Sequence, residues 1–532
     1  MKNIIIAAAV ALAGISSFAE ELKVSVNPDK TFQKVDHFTA ADAWSGNFVG
    51  KYFAEPQKAQ IAEWLFSDKI GADGNPEGIG LSMWRINVGG GSLEQDGADI
   101  EPYQRRAEAF LTIDGKNCDW GKCSGQQYFI KKAREYGCNK FLLFSNTPPV
   151  QWTLNGKGYA DKNASSVNLK PDCFGKFADH LADVAKHFQD EGYNIDYVSP
   201  VNEPQVPWNS NRQEGSPWRA SDKHKIFVEL DSALGERKLD NTKMLLGEAA
   251  DLLYIYKVDR GDPKGVKDWR GMPENDRPNL YLQKFYDPQS PQYLLNLKHM
   301  PKMVGGHSYH SHTRNEMLRK VRTELNEACE KLGVEFQQTE WCLLPHFNAK
   351  NHDGIPQKWL DDNRAGIYSA LVMGRIICDD FNYAKSTAWG YWKGMEINGN
   401  YALIGVYPVN GDLTKGGVAR TNKLLWALGN FSFFVRPGYS RIEISGADDL
   451  NKVVSVAFAS PDRKRIVAIF VNSSEETFEA DVSLPEAFAK NIETVRAFRT
   501  DPRMDMGNLL IQSKNRLSIA PLSITTLVLD IK

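Results

Sequence analysis

The chain has 532 residues, of which 42% are hydrophobic and 24% charged. These proportions are those of a globular protein and exclude a disordered or collagen-like chain. With 64 basic and 66 acidic residues the formal net charge is −2, so the sequence lacks the positive excess of a nucleic-acid binder and predicts no nucleic-acid partner. The length allows one large domain with a smaller companion, or three modest domains.

The N-terminus has the pattern of an export signal. Lys2 precedes an apolar run at 4–15, and the small residues Ser17 and Ala19 follow. This order predicts a signal peptide at 1–19. The run is shorter than the roughly 20 residues that span a membrane, and no later segment is apolar enough. We therefore expect a secreted or periplasmic protein with no membrane association.

Residues 38–432 alternate strand and helix patterns. Eight such units favour a closed (β/α)8 TIM barrel, an α/β fold, over an open doubly wound sheet. Strands are predicted at 38–41, 81–88, 140–145, 195–201, 244–247, 303–309, 336–339 and 386–391. Helices are predicted at 56–67, 126–136, 174–190, 223–234, 291–300, 315–332, 364–380 and 418–428.

The pattern changes near the end of this region. Residues 433–532 contain short β-rich runs separated by turn residues, which predicts an appended C-terminal β-sandwich. Residues 20–37 are also strand-like, and we expect them to join this side domain.

Seven cysteines leave at least one unpaired. Cys118 and Cys123 flank a short loop and either form a local disulfide or remain free thiols. The sequence has no C-x-x-C pair, so it does not predict a structural zinc site.

In a barrel of this type the active site lies at the C-terminal ends of the strands. Asn202-Glu203-Pro204 ends the fourth strand and Glu340 ends the seventh. Two carboxyl groups facing each other beside aromatic side chains are typical of a glycosidase, with the Asn202 amide placed to bind a sugar hydroxyl. Glu248, at the end of the fifth strand, is the competing second carboxylate, but it lies beside the fourth strand. Alone, Asn-Glu-Pro could be a turn and Glu340 a solvated loop carboxylate.

Other polar and aromatic residues fall at the same strand ends. Arg85 is interpreted as an ion-pair partner that lowers the pKa of Glu340, or as a core residue. His307 or Tyr309 is expected to hydrogen-bond the catalytic carboxylate. The tryptophans are interpreted as sugar platforms, with core packing as the alternative. The predicted substrate-binding residues are Asp42, Trp44, Arg85, Asn87, Trp152, Asn202, His307, Tyr309, Trp389 and Trp392.

His307, His310 and His312 could together bind zinc. Alternate residues of a strand face opposite sides, however, which separates His307 from the other two. We predict no metal site, and a metallohydrolase remains only an alternative.

Taken in order, these motifs resemble glycoside hydrolase family 30, in the clan A retaining β-glycosidases, and the resemblance covers essentially the whole mature chain. Its endo-β-1,6-galactanase-like members are the most similar in appearance. The residues that carry the likeness are Asp42-Ala43-Trp44-Ser45, Arg85-Ile86-Asn87-Val88-Gly89-Gly90-Gly91, Asn146-Thr147-Pro148-Pro149-Val150-Gln151-Trp152, Val201-Asn202-Glu203-Pro204, Thr339-Glu340-Trp341, Trp389-Gly390-Tyr391-Trp392 and Leu522-Ser523-Ile524-Thr525-Thr526.

The resemblance implies a retaining mechanism without cofactor or metal. Glu340 would be the nucleophile and Glu203 the acid/base, with carboxyl groups roughly 5–5.5 Å apart. It implies a polysaccharide or oligosaccharide substrate, first a β-1,6-galactan cleaved internally, with β-1,6-glucan or (glucurono)xylan as alternatives. A catalytically inactive carbohydrate-binding protein is the alternative from another class, and we expect a monomer.

Overall fold

The computed structural model describes residues 19–95, 99–257, 272–311, 315–344, 364–511 and 513–532. The predicted signal segment before residue 19 and the candidate ligand His312 lie outside the described residues.

A closed barrel of parallel strands forms the centre of the molecule. Its fifth position consists of two short strands on either side of Leu245, of which the first pairs with the fourth position and the second with the sixth. The last strand pairs with the first, so the ring is complete and the predicted TIM barrel is confirmed. In chain order its strands are β2 (His37–Ala41), β3 (Met83–Asn87), β4 (Lys140–Phe144), β5 (Ile195–Ser199), β6 (Lys243–Met244), β7 (Leu246–Ala249), β8 (Met303–His307), β9 (Glu335–Glu340) and β10 (Ala388–Tyr391).

Helices surround the barrel. The apolar stripe of the fourth helix, including Phe177, Leu181 and Phe188, is buried, as expected for an amphipathic helix. In chain order the helices are α1 (Ser45–Tyr52), α2 (Glu55–Phe66), α3 (Ser124–Glu135), α4 (Phe174–Asp190), α5 (Ala220–Glu236), α6 (Leu253–Tyr256), α7 (Asn315–Leu332), α8 (Ile367–Asn382), α9 (Lys423–Ser432) and, within the side domain, α10 (Glu486–Ala489).

Two helix predictions are wrong. Residues 291–300 form turns, because the backbone N–H of Leu294 donates to Phe285 and that of His299 to the Asp231 side chain instead of to residues one helical turn earlier. The helix predicted at 418–428 begins later, at Lys423, since the Asn422 side chain accepts the N–H of Leu424 and so caps α9.

The segment before α9 belongs to a small sheet that the sequence did not indicate. It lies after the last barrel strand and contains β11 (Met395–Ile397), β12 (Ile404–Pro408) and β13 (Gly417–Thr421).

The side domain is one continuous nine-stranded sheet that encloses its own core. The N-terminal strand β1 (Glu20–Lys34) lies inside it, antiparallel to β14 and parallel to β17. The remaining strands are β14 (Ser440–Ser445), β15 (Val453–Ala459), β16 (Arg465–Asn472), β17 (Phe478–Ser483), β18 (Ile492–Thr500), β19 (Gly507–Leu509), β20 (Arg516–Ile519) and β21 (Ser523–Ile531).

Alternate residues of these strands face two different cores. Val453 and Ala457 belong to the interior of the side domain, whereas Val456 and Phe458 join the core of the barrel. Phe458 packs edge-on against Phe381 of α8, with ring centroids 5.1 Å apart. The side domain therefore packs directly on the helical layer of the barrel.

All seven cysteines are free, so the Cys118–Cys123 disulfide is not formed. Cys123 is buried at the start of α3, whereas Cys118 lies in a loop beside α4.

In the described part of the chain, no helix has the length and apolar character of a membrane span.

Candidate active site

Four barrel strands bring ionisable groups together at one end of the barrel. Glu203 follows β5, Glu340 ends β9, and His307 ends β8. One oxygen of each glutamate and one nitrogen of His307 all lie within 4.8 Å of one another. Strands far apart in sequence therefore place two carboxyl groups around one histidine, with Arg85 of β3 beside them.

Glu203 is held through its backbone while its carboxyl group reaches the opening. Its N–H donates to the carbonyl oxygen of Glu248 (2.8 Å), and the Trp208 indole donates to the Glu203 carbonyl oxygen (3.0 Å). Its φ of 40° lies in the left-handed region, which few non-glycine residues adopt. The side chain is 12% exposed, so a ligand can reach it.

Glu340 lies deeper and is bound on several sides. Arg85 donates to one carboxylate oxygen at 2.5 Å, and the Tyr309 hydroxyl donates to the other at 3.3 Å. Burial raises the pKa of Glu340, although the positive charges of His307 and Arg85 oppose this rise. Arg85 thus lowers the pKa of Glu340, as expected. The effect of burial is larger, so the net shift of this pKa is upward.

His307 links three carboxyl groups. Its Nδ1 donates to Glu203 (2.8 Å) and also lies 3.5 Å from Glu340, and its Nε2 donates to Glu248 (2.9 Å). Burial would lower the pKa of His307, but the negative charges of Glu340, Glu203 and Glu248 outweigh it and raise the pKa to about 10. The ring is therefore an imidazolium at neutral pH, with both N–H groups engaged.

Glu248, the competing nucleophile, is fully buried. Arg85 (3.3 Å), His307 (2.9 Å) and Thr339 (2.6 Å) all donate to it. Burial would raise its pKa, but Arg85 and His307 lower it to about 2. Glu248 is thus a permanently ionised support for Arg85 and His307, and it is not positioned to attack a sugar.

The predicted polar residues Asp42, Asn87 and Asn202 are hydrogen-bonded to other groups of the protein near the strand ends. Asp42 accepts from the Asn87 N–H (2.9 Å) and from Gln126 of α3 (2.7 Å), so both of its oxygens are engaged within the protein. Burial raises the pKa of Asp42 to about 7. The side-chain oxygen Oδ1 of Asn202 accepts from Arg85 at 3.4 Å. Asp42 supports the strand ends and is not placed to bind a sugar.

Two of the four predicted tryptophans lie beside the cluster. Trp44 and Trp392 pack edge-on, with ring centroids 5.1 Å apart, and the Arg85 guanidinium lies 6.0 Å from the Trp392 ring. Trp44 also has the Lys393 ammonium 4.7 Å from its ring. These rings form one wall of the site.

The other two tryptophans are elsewhere. Trp389 is fully buried and its indole donates to Asp380 of α8 (2.9 Å), so it faces the helical layer. Trp152 packs edge-on against His180 of α4 at 6.0 Å and lines a different cavity. Their prediction as sugar platforms of the active site is wrong, because strand ends and turns direct neighbouring side chains to opposite sides.

Some residues of the site were missed. Trp208, half-buried, lies five residues after Glu203 and binds its carbonyl oxygen. Glu396 pairs with Lys393 next to Trp44. The position of Trp208 shortly after Glu203 is a sequence signal that could have identified it. The Lys393–Glu396 pair has no such signal in the sequence.

Among the residues that the structure describes, Glu203, His307 and Glu340 form one group whose ligand atoms could approach a metal ion. Because both nitrogens of His307 carry protons and donate to carboxylates, this ring offers no lone pair to an ion. His307 is therefore not available as the ligand that a zinc site with His310 and His312 would need from it.

Comparison with known proteins agrees with this arrangement. An endo-β-1,6-galactanase of Hypocrea rufa is 21% identical over 442 residues, covering 80% of this chain and 76% of that protein. An exo-β-1,6-galactobiohydrolase of Bifidobacterium longum subsp. longum is 27% identical over 256 residues, covering 38% of this chain and 16% of that protein.

Among solved structures, a conserved exported protein of Bacteroides fragilis is 28% identical, with a TM-score of 0.83, and the match covers 95% of this chain and 100% of that one. The family model described as O-glycosyl hydrolase family 30 matches residues 21–407. The chain belongs to O-glycosyl hydrolase family 30.

Proposed function

We propose that the protein hydrolyses a β-glycosidic bond with retention, with Glu340 as nucleophile and Glu203 as acid/base. The observation that carries this is the close approach of the two carboxyl groups, with atoms of both inside the 4.8 Å cluster. Retaining enzymes need such a short separation, whereas inverting enzymes leave room for a water molecule.

The contacts of the two carboxyl groups differ and support different roles for them. Arg85 binds one oxygen of Glu340 and Tyr309 the other, so the carboxylate is oriented for attack on the anomeric carbon. His307 donates to Oε1 of Glu203, so a proton on Glu203 belongs on Oε2. The charges of Arg85 and His307 then balance those of Glu248 and Glu340.

The reaction has two steps. Glu340 forms a bond to the anomeric carbon while Glu203 gives its proton to the departing glycosidic oxygen. Glu203 then takes a proton from water, whose oxygen attacks the anomeric carbon and releases Glu340.

For the substrate we propose a β-1,6-galactan, cleaved internally by an exported and monomeric enzyme. Both curated relatives carry β-1,6-galactose linkages in their names. Export is supported by the signal pattern at 1–19 and by the exported relative from Bacteroides fragilis. Trp44, Trp392 and Trp208 provide aromatic surfaces near the carboxyl groups for the sugar rings.

Glucuronoxylan requires a cation for its uronate, and Arg219 is not a free one. Arg219, which follows the Glu203 loop, already binds Ser165 and lies 3.5 Å from Asp276. Its guanidinium is therefore engaged within the protein.

The test is product analysis on β-1,6-galactan, β-1,6-glucan and glucuronoxylan, with the Glu340→Ala variant as control. We expect galacto-oligosaccharides from the galactan alone and none from the variant. Early products of mixed length indicate internal cleavage. Products from another polysaccharide would replace the proposed substrate, and no product from any would favour the inactive carbohydrate-binding protein.

A further inference from the structure

A second cavity lies on the outer side of the barrel, against α4. Its volume is about 640 Å³, within the range of about 300–1,000 Å³ that is usual for small-molecule sites. Trp152, His180, Gln151 and Cys118 are among its lining residues, and none of the carboxyl groups of the active site is. The turn that contributes Asn146 to the catalytic end thus carries Trp152 to a separate opening.

The cavity contains buried polar atoms without partners. His180 is 2% exposed, and within the described part of the chain neither ring nitrogen has a hydrogen-bond partner. The Oε1 atom of Gln151 is also buried and has no hydrogen-bond partner among the described residues. Buried polar groups are normally satisfied, and each exception calls for an explanation such as a ligand.

The chemistry of the lining fits a sugar. Burial lowers the pKa of His180 to about 4, so at neutral pH its ring offers one donor and one acceptor, which match a hydroxyl group. The half-buried Trp152 indole provides an apolar face next to that ring, and such rings combine an apolar body with a polar tip.

The charges of the lining are nearly balanced. Four aspartates and three lysines line the cavity. Arg237 pairs with two of the aspartates, Asp179 at 3.0 Å and Asp183 at 2.7 Å. This balance favours an uncharged ligand over an anion or a cation.

We propose that this cavity is a second carbohydrate-binding site, which takes a sugar residue of a neutral glycan away from the catalytic centre. Trp152 packs against one face of the sugar, and His180 and Gln151 bind its hydroxyl groups. The site would hold the enzyme on its polymer. It depends on the proposed function only in the choice of glycan.

Calorimetric titration with a β-1,6-galacto-tetrasaccharide tests this. The Glu340→Gln protein, which does not consume the ligand, should bind two molecules. Adding His180→Leu should leave one, and adding Trp152→Ala should weaken the second site at least tenfold. Leucine replaces a polar ring that has no partner, so that variant should fold, which thermal unfolding verifies.

The matched control is His187→Leu, because His187 lies on the same helix but stacks on Trp120, with ring centroids 4.0 Å apart. It should keep both sites. In protein labelled at the histidine rings, the His180 signal should shift on titration and should not shift in Trp152→Ala.

Hydrolysis by the wild-type protein is measured separately, so failure of the catalytic proposal is recognised independently. If the galactan fragment does not bind, the titration uses β-1,6-gluco- and glucuronoxylo-oligosaccharides. The absence of a His180-dependent site for all three, or an unchanged stoichiometry in both variants, overturns the proposal.

Discussion

The side chain of His307 connects the carboxyl groups of the candidate active site. It contacts Glu203 and Glu248 directly, and Glu340 lies 3.5 Å from its Nδ1. Because the ring and Arg85 are both positively charged, they stabilise the buried anions that would otherwise be costly. Single-residue substitutions here therefore separate chemical roles from electrostatic ones.

The Glu340→Ala variant should lose turnover by a factor on the order of 10⁴ or more, since the proposed mechanism assigns the attack on the anomeric carbon to Glu340. Azide should restore part of the activity and yield a glycosyl azide of inverted configuration, identified by NMR. Glu248→Ala is the matched control. Rescue of that variant instead would assign the nucleophile to Glu248.

The Glu203→Ala variant should depend strongly on the leaving group. A dinitrophenyl glycoside needs little protonation and should keep its rate within about tenfold, whereas polysaccharide cleavage should fall by about 10²–10⁴. Steady-state kinetics on both substrates measure the difference. Equal losses on the two would contradict the role of Glu203 as acid.

Stability should decrease at alkaline pH because of His307. Its folded pKa of about 10 exceeds the unfolded value of about 6.5, so its contribution is complete below pH 6.5 and is lost as the pH rises through 10. The loss should reach up to about 1.4 kcal/mol per pH unit. Urea unfolding between pH 8 and 10 measures this loss of stability. The range lies above the pKa of Asp42, which is about 7, so the titration of Asp42 contributes little to the slope. His307→Gln should show a shallower slope, and an equal slope would contradict the assignment.

Loops after the barrel strands are tied together by buried carboxylates. Glu214, in the loop after β5, accepts the N–H groups of Gly90 (2.9 Å) and Ser92 (3.1 Å) in the loop after β3. Glu108 similarly accepts the N–H of Cys123 at the start of α3 (2.7 Å). These contacts shape the opening of the barrel without touching the reacting groups.

The Glu214→Gln variant should lower the free energy of unfolding by about 1–3 kcal/mol, because one of two charge-assisted hydrogen bonds becomes a clash between donors. Its KM for polysaccharide should rise more than its kcat falls. Chemical denaturation and kinetics measure both effects. The exposed Glu236→Gln is the control and should stay within about 0.5 kcal/mol; equal behaviour of the two variants would exclude this role.

The molecule as a whole depends on the contact between the barrel and the side domain. Phe381 of α8 packs against Phe458 of β15 and against Phe38 of β2 (5.6 Å). Asn430 of α9 donates to the Thr500 hydroxyl (2.7 Å) and accepts from that of Thr526 (3.0 Å). Since these bonds and rings are buried, the two parts should unfold together.

Calorimetry should therefore show one unfolding transition for the wild-type protein. Phe381→Ala should lower the free energy of unfolding by about 3–5 kcal/mol, as for other large buried rings. Two separate transitions in the wild-type protein would show that the interface does not couple the domains.

Much of this architecture follows from local patterns in the sequence. The helices at Phe174–Asp190 and Asn315–Leu332 match their predictions because their apolar stripes are continuous. The eight barrel strands and the positions of Glu203 and Glu340 at strand ends are also apparent, since buried parallel strands are short apolar runs and polar residues end them.

The tertiary structure decided what the local patterns leave open. Trp389 and Trp392 are three residues apart, so one faces α8 and the other the site. Glu248 is a support because three donors from β3, β8 and β9 surround it. Trp152 faces α4 because its turn leaves the barrel. Local patterns in the sequence specify most of the barrel strands and helices and the polar residues at the strand ends. The direction of each side chain was decided by packing between distant segments, because only those contacts determine which atoms a charge or ring meets.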